Sequence, residues 1–382
     1  MMFGSISLAM ALAANAVCTA PGTGIVAVAH RNVSPTSGTR AYSVSILGDM
    51  HYDASPMEKF HSAFLKVWGK DPDESWRLGE FRRNAVMWNG IGRRILASAG
   101  ACATPDTAFV AQLGDLVQGD CRDGEAHRRM LAEAKGLLSE AFGPDRPVVL
   151  VCGNHDLRAG TSRDGNDQDA AEAYRAFVGR DTTYAFRQGP DLYLVVDFNR
   201  PSADRVKELL AANEGVRYTF VLTHGPLSPM DLTPRRWFLY GDEKDDPVRN
   251  EMRALFARRH AIVLAGHVHS LEHKEFVFPE GRISEMVLST IVRSFDKPLA
   301  PEPDVIATDP ARYGRVKEQE VSWVPGLKEL FDAWRPHLTE YYVSRATGHY
   351  RLRVSDAGVW VDYYGLDART PTKTFVLRGE NR

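Results

Sequence analysis

Five short polar blocks each close an apolar run: Gly48-Asp49-Met50-His51, Gly114-Asp115-Leu116-Val117-Gln118, Gly153-Asn154-His155-Asp156, Thr223-His224-Gly225 and Gly266-His267-Val268-His269. Asp49 and Asp115 offer carboxylates, Asn154 offers a carboxamide, and His51, His155, His224, His267 and His269 offer imidazoles. No thiol is among them. Oxygen and nitrogen donors in that mixture suit a pair of divalent transition-metal ions. Two adjacent ions can polarise a phosphate ester and activate water without any protein nucleophile. Each donor alone has an ordinary role, such as an Asx turn after Gly114 or a turn at Gly153-Asn154. Their recurrence at the same place after five separate runs is what favours metal ligation.

The runs themselves explain how the donors could meet. Tyr42 to Leu47, Thr107 to Leu113, Pro147 to Cys152, Tyr218 to Leu222 and Ala261 to Ala265 are short, mostly aliphatic or β-branched, and stop at Gly or Thr. They read as buried strands. Between them, Arg77 to Ala99 and Glu125 to Phe142 carry apolar residues at helical spacing, and Ala170 to Val178, Ala203 to Ala212 and Val248 to Arg259 are shorter helix candidates. Alternating strands and helices imply an α/β fold with a largely parallel sheet, whose ligands gather at the carboxyl ends of the strands. Leu192 to Asp197 reads as a further strand without a polar block. Beyond the fifth block, Arg282 to Val292 alternates like a strand, Pro298 to Pro310 reads as loop and Glu329 to Trp334 as a helix fragment. Glu340 to Ser344, His349 to Val354 and Val359 to Tyr364 read as a three-stranded antiparallel meander that completes a second sheet.

Composition is that of an ordinary globular enzyme: 382 residues, 44% hydrophobic, 25% charged, formal net charge -2. The absence of a basic tract argues against nucleic acid as the main partner, and no protein partner is evident. Residues 1–20 contain an apolar stretch, Ile6 to Val17, too short to cross a bilayer. With Ala14-Asn15-Ala16 it reads as a signal peptide and implies a secreted or periplasmic protein; because no Lys or Arg precedes it, a cytoplasmic protein is the alternative. Residues 21–40 read as a linker and 41–382 as a single domain, with a core over 41–295 and the meander region over 296–382. The spacing of Cys18, Cys102, Cys121 and Cys152 excludes a Cys-x-x-Cys zinc site. Cys152 reads as buried, and Cys102 and Cys121 could pair if the protein is exported.

Asp-x-His, Gly-Asp, Gly-Asn-His-Asp, His and Gly-His-x-His in this order resemble the calcineurin-like metallophosphoesterase superfamily, from about Asp49 to His269. The resemblance implies a four-layer α/β/β/α sandwich of two mixed sheets with the metal site at the C-terminal ends of the strands. It implies that Asp49, His51 and His269 hold one metal ion, that Asn154, His224 and His267 hold the other, and that Asp115 bridges both. The cofactors would be two divalent ions drawn from Mn, Fe, Zn or Co. The implied reaction is hydrolysis of a small phosphomonoester or phosphodiester by a metal-bridging hydroxide, with Asp115 and His155 as catalytic residues and His155 as the acid. Alternatives are a cyclic-nucleotide or phospholipid-headgroup phosphodiesterase, or a metal-binding scaffold with little turnover.

One position departs from the pattern. In many relatives an Asp three residues after the bridging Asp orients the acidic histidine; here Gln118 stands there, with Asp120 and Asp156 as candidate substitutes. Gln118 also differs from the Tyr that serves purple acid phosphatases as an iron(III) ligand. Around the blocks, Asn154, His155, Tyr52 and Arg158 are candidate substrate-binding residues, with Asp53 beside Tyr52. Arg158 and Arg163 lie in a loop for which a solvated surface is the simpler reading. Asn84 and Trp88, one helical turn apart, read more simply as a surface Asn and a core Trp. Asp164, Asn166 and Asp167 lack the later spacing of a calcium loop. His61, His127, His260, His273, His337 and His349 have no partner pattern.

Overall fold

A computed structural model describes residues 41–53, 84, 87–121, 124–159, 168–179, 181–233, 246–290 and 299–379. Residues 1–40, with the signal and linker readings, Cys18, His61, most of the first half of the 77–99 helix, Arg163, Asp164, Asn166 and Asp167 lie outside them. The runs that end in the polar blocks are strands as expected: β1 (Tyr42–Leu47), β2 (Thr107–Gln112), β3 (Val148–Leu150), β6 (Thr219–Thr223) and β7 (Ile262–Ala265). Between and around them run β4 (Tyr184–Gln188) and β5 (Asp191–Val196), then β8 (Leu271–Phe278), β9 (Gly281–Leu288), β10 (Asp304–Ala307), β11 (Leu338–Arg345), β12 (Gly348–Ser355), β13 (Gly358–Gly365) and β14 (Lys373–Gly379). The helices are α1 (Arg93–Ala101), α2 (Gly124–Phe142), α3 (Gln168–Val178), α4 (Ala203–Ala211), α5 (Asp246–Arg258), α6 (Glu318–Ser322) and α7 (Leu327–Trp334).

The strands form two mixed sheets, in the orders β14-β13-β12-β1-β2-β3 and β10-β11-β8-β9-β7-β6-β5-β4. Alternation along the strands explains the layers. Val44, Ile46, Phe109 and Val149 of the first sheet pack against Tyr193, Phe220, Leu222 and Leu264 of the second. Their neighbours face outward. Leu47, Val110 and Leu150 meet α1, α2 and α3, whereas Leu194, Val221 and Val263 meet α4, α5 and α7. Both faces of each sheet are therefore buried near the centre, which is why the central strands read as continuous apolar runs. β1, β2 and β3 are mutually parallel, as are β6 and β7. The carboxyl ends of each set lie on one rim.

The C-terminal region departs from the expected meander. β11 pairs antiparallel with β8 and β10 in the eight-stranded sheet, while β12 pairs antiparallel with β1 in the other. Only Ala346 and Thr347 separate these strands, so the chain crosses from one sheet to the other there. The region thus completes both sheets. A short hairpin-like spacer did not force pairing, because β1 and β8 each presented an unsatisfied ladder. The stretch read as loop, Pro298 to Pro310, contains the edge strand β10. Cys102 and Cys121 do not form a disulfide with each other. Cys102 lies against the Arg369 carbonyl and Cys121 beside His127.

β12 carries a buried histidine outside the polar blocks. His349 Nε2 lies 3.2 Å from Ser98 Oγ and 3.3 Å from the Ala368 carbonyl, and its ring stacks on Tyr364 at 4.8 Å. Burial pushes its pKa down to about 4, against some opposition from the Ala368 carbonyl. A histidine held neutral in the folded state stabilises the fold above its unfolded pKa of about 6.5, and that stability is lost as pH falls toward the folded value. We expect this group to remove about 2–3 kcal/mol between pH 7 and pH 4.5. Denaturant unfolding of wild type and His349→Gln at both pH values checks this: the variant should lose correspondingly less, and parallel losses would discard the assignment.

Candidate metal centre

The strand ends bring the five blocks together. His267 N–H donates to Asp49 Oδ1 and Oδ2 at 2.8 and 2.9 Å, tying the end of β7 to the end of β1 across the two sheets. Met50 and His51 N–H donate to the Asp115 carbonyl at 3.0 and 2.8 Å. His155 N–H donates to Asp115 Oδ1 at 2.8 Å. Gly266 N–H donates to the His224 carbonyl at 2.9 Å. Main-chain bonds thus fix which carboxylate oxygens remain to face inward.

Two glycines allow these approaches. A methyl group on Gly153 would overlap the main-chain nitrogen and Oδ1 of Asp115, and one on Gly114, at φ 92°, would overlap the His224 ring. Four block residues also hold left-handed backbone angles: His51 at φ 44°, Asp115 at 51°, His267 at 74° and His269 at 53°. Non-glycine residues adopt that region at a cost, and such strain gathers at functional sites.

Three groups of side chains could each hold a metal ion: Asp49, His51 and His269; His51, Asp115 and His155; and Asp115, His224 and His267. Asp115 is shared by the last two. Its Oδ2 lies 3.2 Å from His224 Nε2 and 3.5 Å from His51 Nε2. His269 Nε2 is 3.6 Å from Asp49 Oδ1 and 2.9 Å from His51 Nε2. Asn154 Oδ1 lies 3.2 Å and His267 Nδ1 3.1 Å from His224 Nε2.

The donor set fits cations. His224 Nδ1 faces the Leu113 carbonyl at 2.8 Å and carries a proton to give to it. In the neutral ring, Nε2 is then a lone pair that meets two oxygen acceptors, Asn154 Oδ1 and Asp115 Oδ2. Those three atoms repel one another unless a proton or a cation lies among them. The titration behaviour reports the same imbalance. Burial opposes charge on Asp115, yet His224 and His155 hold it well below the usual carboxylate range. Burial opposes a charged His224 too, but Asp115 and Asp49 push it up to about 9. Loss of water and the neighbouring His224 push His267 down to about 3. Burial and the Asp115 charge push Asp156 up to about 7. Protons gather on some members because a concentrated negative site asks for positive charge.

His155 is oriented by a group other than the replaced side chain. Its Nδ1 donates to the main-chain carbonyl of Gln118 at 2.7 Å, a contact any residue at 118 supplies. Nε2 accepts from Arg158 Nη1 at 3.1 Å, and Arg158 Nη2 pairs with Asp120 Oδ2 at 3.2 Å. Arg158 is therefore packed beside His155, with its side chain 15% exposed, rather than solvated. Asp156 accepts from Val117 and Gly153 N–H and braces the two loops. Its own carbonyl lies 2.8 Å from His127 Nε2. Phe198 walls the other side, with its ring 5.2 Å from His224 and 5.1 Å from His267.

Other candidates fall elsewhere. Tyr52 turns from the cluster: its hydroxyl donates to Glu133 and its ring packs edge-on against Trp88, because the strand-like bridge from Tyr52 to Val117 aims it at α2. Asn84 is buried, not at the surface, and donates to Gln118 Oε1. Trp88 Nε1–H donates to the carbonyls of Met50 and His51. The one sequence signal for this pair was their i, i+4 spacing.

The chain belongs to the calcineurin-like phosphoesterase family, whose signature matches residues 42–271. Among solved structures it is similar to PhoD, with a TM-score of 0.51 and 11% identity over 90% of this chain and 70% of that one. At that identity the likeness is one of fold. A dimetal phosphatase from Danio rerio matches at TM-score 0.45 and 12% identity, over 89% of this chain and 99% of that one. GAP50, the anchor in the inner membrane complex of Plasmodium, matches at 0.43 and 10%, over 90% of each chain. Neither of these two carries an argument. No curated protein matches. Among the described residues no helix is long and apolar enough to cross a membrane.

Gly153→Ala should destabilise the fold by about 1–3 kcal/mol through overpacking against Asp115. A lowered thermal midpoint checks it, and a wild-type midpoint would show that the two loops are not packed to contact.

Proposed function

We propose that the protein hydrolyses a small phosphomonoester or phosphodiester with the help of two divalent ions. In this reading Asp49, His51 and His269 hold one ion, Asn154, His224 and His267 hold the other, and Asp115 serves both. The observation that carries it is the convergence of Asp115 Oδ2, Asn154 Oδ1 and the His224 Nε2 lone pair, three acceptors in the neutral site, with His267 Nδ1 3.1 Å from His224 Nε2. Bound there, the ions supply Lewis-acid polarisation of the phosphate and an activated water. Oxygen and nitrogen donors without thiolate favour Mn, Fe, Zn or Co.

The chain's own groups supply the rest. Asp115 is kept ionised by its imidazole neighbours, so it is available as a ligand at neutral pH. Gln118 fixes the His155 tautomer with the proton on Nδ1, which leaves Nε2 facing the cluster. A substrate oxygen arriving at Nε2 meets Arg158 first, and the guanidinium is suited to a phosphoryl oxygen. Engaging it frees the Nε2 lone pair to take up a proton from solvent, and the imidazolium so formed passes that proton to the leaving oxygen. Asp120 holds Arg158 at that place. Asn154 belongs to both the ligand set and the substrate wall, while Tyr52, bonded to Glu133, is left out of the substrate set.

The test is release of p-nitrophenol from p-nitrophenyl phosphate and bis-p-nitrophenyl phosphate by purified protein with Mn, alongside elemental analysis. Asp115→Asn should lower turnover by a factor on the order of 10³ and reduce metal content; full activity at unchanged metal content would refute its shared role. His155→Ala should keep both ions and lose rate by about 10²-fold or more with poor leaving groups, less with good ones. Loss of metal instead would make His155 a ligand, as its grouping with His51 and Asp115 permits.

A further inference from the structure

Just before α1, the residues Trp88–Gly92 form a single π-turn. Such turns are rare and often stand at functional sites. Trp88 is 3% exposed and its indole N–H is shared between two carbonyls, Met50 O at 3.0 Å and His51 O at 3.1 Å. Those carbonyls belong to the turn that holds His51 at φ 44°. One helical turn earlier, Asn84 is 1% exposed and donates through Nδ2 to Gln118 Oε1. Its Oδ1 is buried with no hydrogen-bond partner among the described residues. Gln118 is the residue whose carbonyl accepts from His155 Nδ1. Tyr52 and Val117 pair between the two contacts and close the arrangement. One short segment therefore touches the loop that carries His51 and the loop that orients His155.

We propose that Trp88 and Asn84 are positioning residues of the metal centre. Trp88 aims His51 at its ion by pinning both carbonyls of a strained turn. Asn84 aims His155 by fixing the side chain of Gln118, and with it the carbonyl that receives the imidazole proton. Neither touches substrate. A buried indole that satisfied only its own N–H would need one carbonyl anywhere in the core. The sharing of one N–H between consecutive carbonyls of a ligand turn is what points to orientation. The proposal rests on the dinuclear reading of the site.

The test titrates the full-length chain, freed of metal, with Mn²⁺ by calorimetry. Wild type should bind two ions. Trp88→Phe keeps a ring but removes the N–H, and should weaken one binding step by about 10–100-fold, as loss of a partner outside the ligand shell does, while the other step stays near wild type. Asn84→Ala should bind both ions as wild type does and lose turnover mainly on poor leaving groups, in the pattern of His155→Ala. Leu96→Ala, a core truncation in α1 that removes no hydrogen bond, controls for general destabilisation. If Trp88→Phe titrates like wild type, or both its steps weaken in parallel with Leu96→Ala, the role of Trp88 is refuted. If Asn84→Ala loses rate evenly across leaving groups, or not at all, the role of Asn84 is refuted. A wild-type chain that binds fewer than two ions would overturn the dinuclear reading itself, and a His155→Ala variant without leaving-group dependence would overturn the acid role. Either result is distinct from failure of the positioning alone.

Discussion

The constraint on which the site depends is electrostatic. Carboxylate, carboxamide and imidazole groups from both sheets are aimed at a common volume around Asp115, where Asp115 Oδ2, Asn154 Oδ1 and the lone pair of neutral His224 repel one another. Burial makes this worse, because the low local dielectric strengthens every unfavourable pair. A fold can hold such a set only if something positive enters it. In the bare protein a proton on His224 does so: against burial, Asp115 and Asp49 push its pKa up to about 9, while burial first and the neighbouring His224 second push His267 down to about 3.

Holding that arrangement requires a backbone that does not relax. The bonds from His267 N–H to Asp49, from His155 N–H to Asp115 and from Gly153 N–H to Asp156 bind the ligand loops by their main chains. Side chains are then left with little freedom except toward the centre. The left-handed angles at His51, Asp115, His267 and His269 follow from the same demand. Each of these residues must reverse the chain immediately after a strand and still point its side chain back over the rim. Extended geometry would carry it past the site.

Much of this was legible in the sequence because the central strands are buried on both faces. Continuous apolar runs ending in Gly-Asp, Gly-Asn or Gly-His announced both the strands and the ends at which the polar blocks converge. Elsewhere the same physics hid the structure. β8 reads Leu271-Glu272-His273-Lys274-Glu275, which looks like surface, yet Glu272 and Lys274 are buried and paired at 2.9 Å. Hydropathy cannot reveal a strand whose charges satisfy each other. β12 was placed beside β11 because a two-residue spacer suggests a hairpin, whereas each strand found its partner in a different sheet. The orientation of His155 was also hidden, since a main-chain carbonyl leaves no trace in residue identity. Asn84 and Trp88 were visible as a spacing and nothing more, because their partners are carbonyls and a carboxamide of distant loops.

The family signature ends at Leu271, yet the loop that follows His224 is anchored by residues beyond it. Glu285 of β9 accepts from the N–H groups of Leu227 and Ser228 and from the Ser228 hydroxyl. Lys274 of β8 donates to Ser228 Oγ at 3.1 Å. Tyr313 donates to the Pro229 carbonyl at 2.9 Å, and Asp231 accepts from Tyr341 and from Gly314 N–H. Burial pushes up the carboxyls of Glu272 and Asp231 in this network, so its acidity is muted and Lys274 can serve several acceptors without a strong local charge. Buried polar networks of this kind specify one arrangement when every member is satisfied. Since β11 and the 313–316 segment belong to the C-terminal region, that region does more than extend two sheets: it holds the base of the loop leading away from His224, and so couples the candidate metal centre to the part of the chain that the family pattern does not describe.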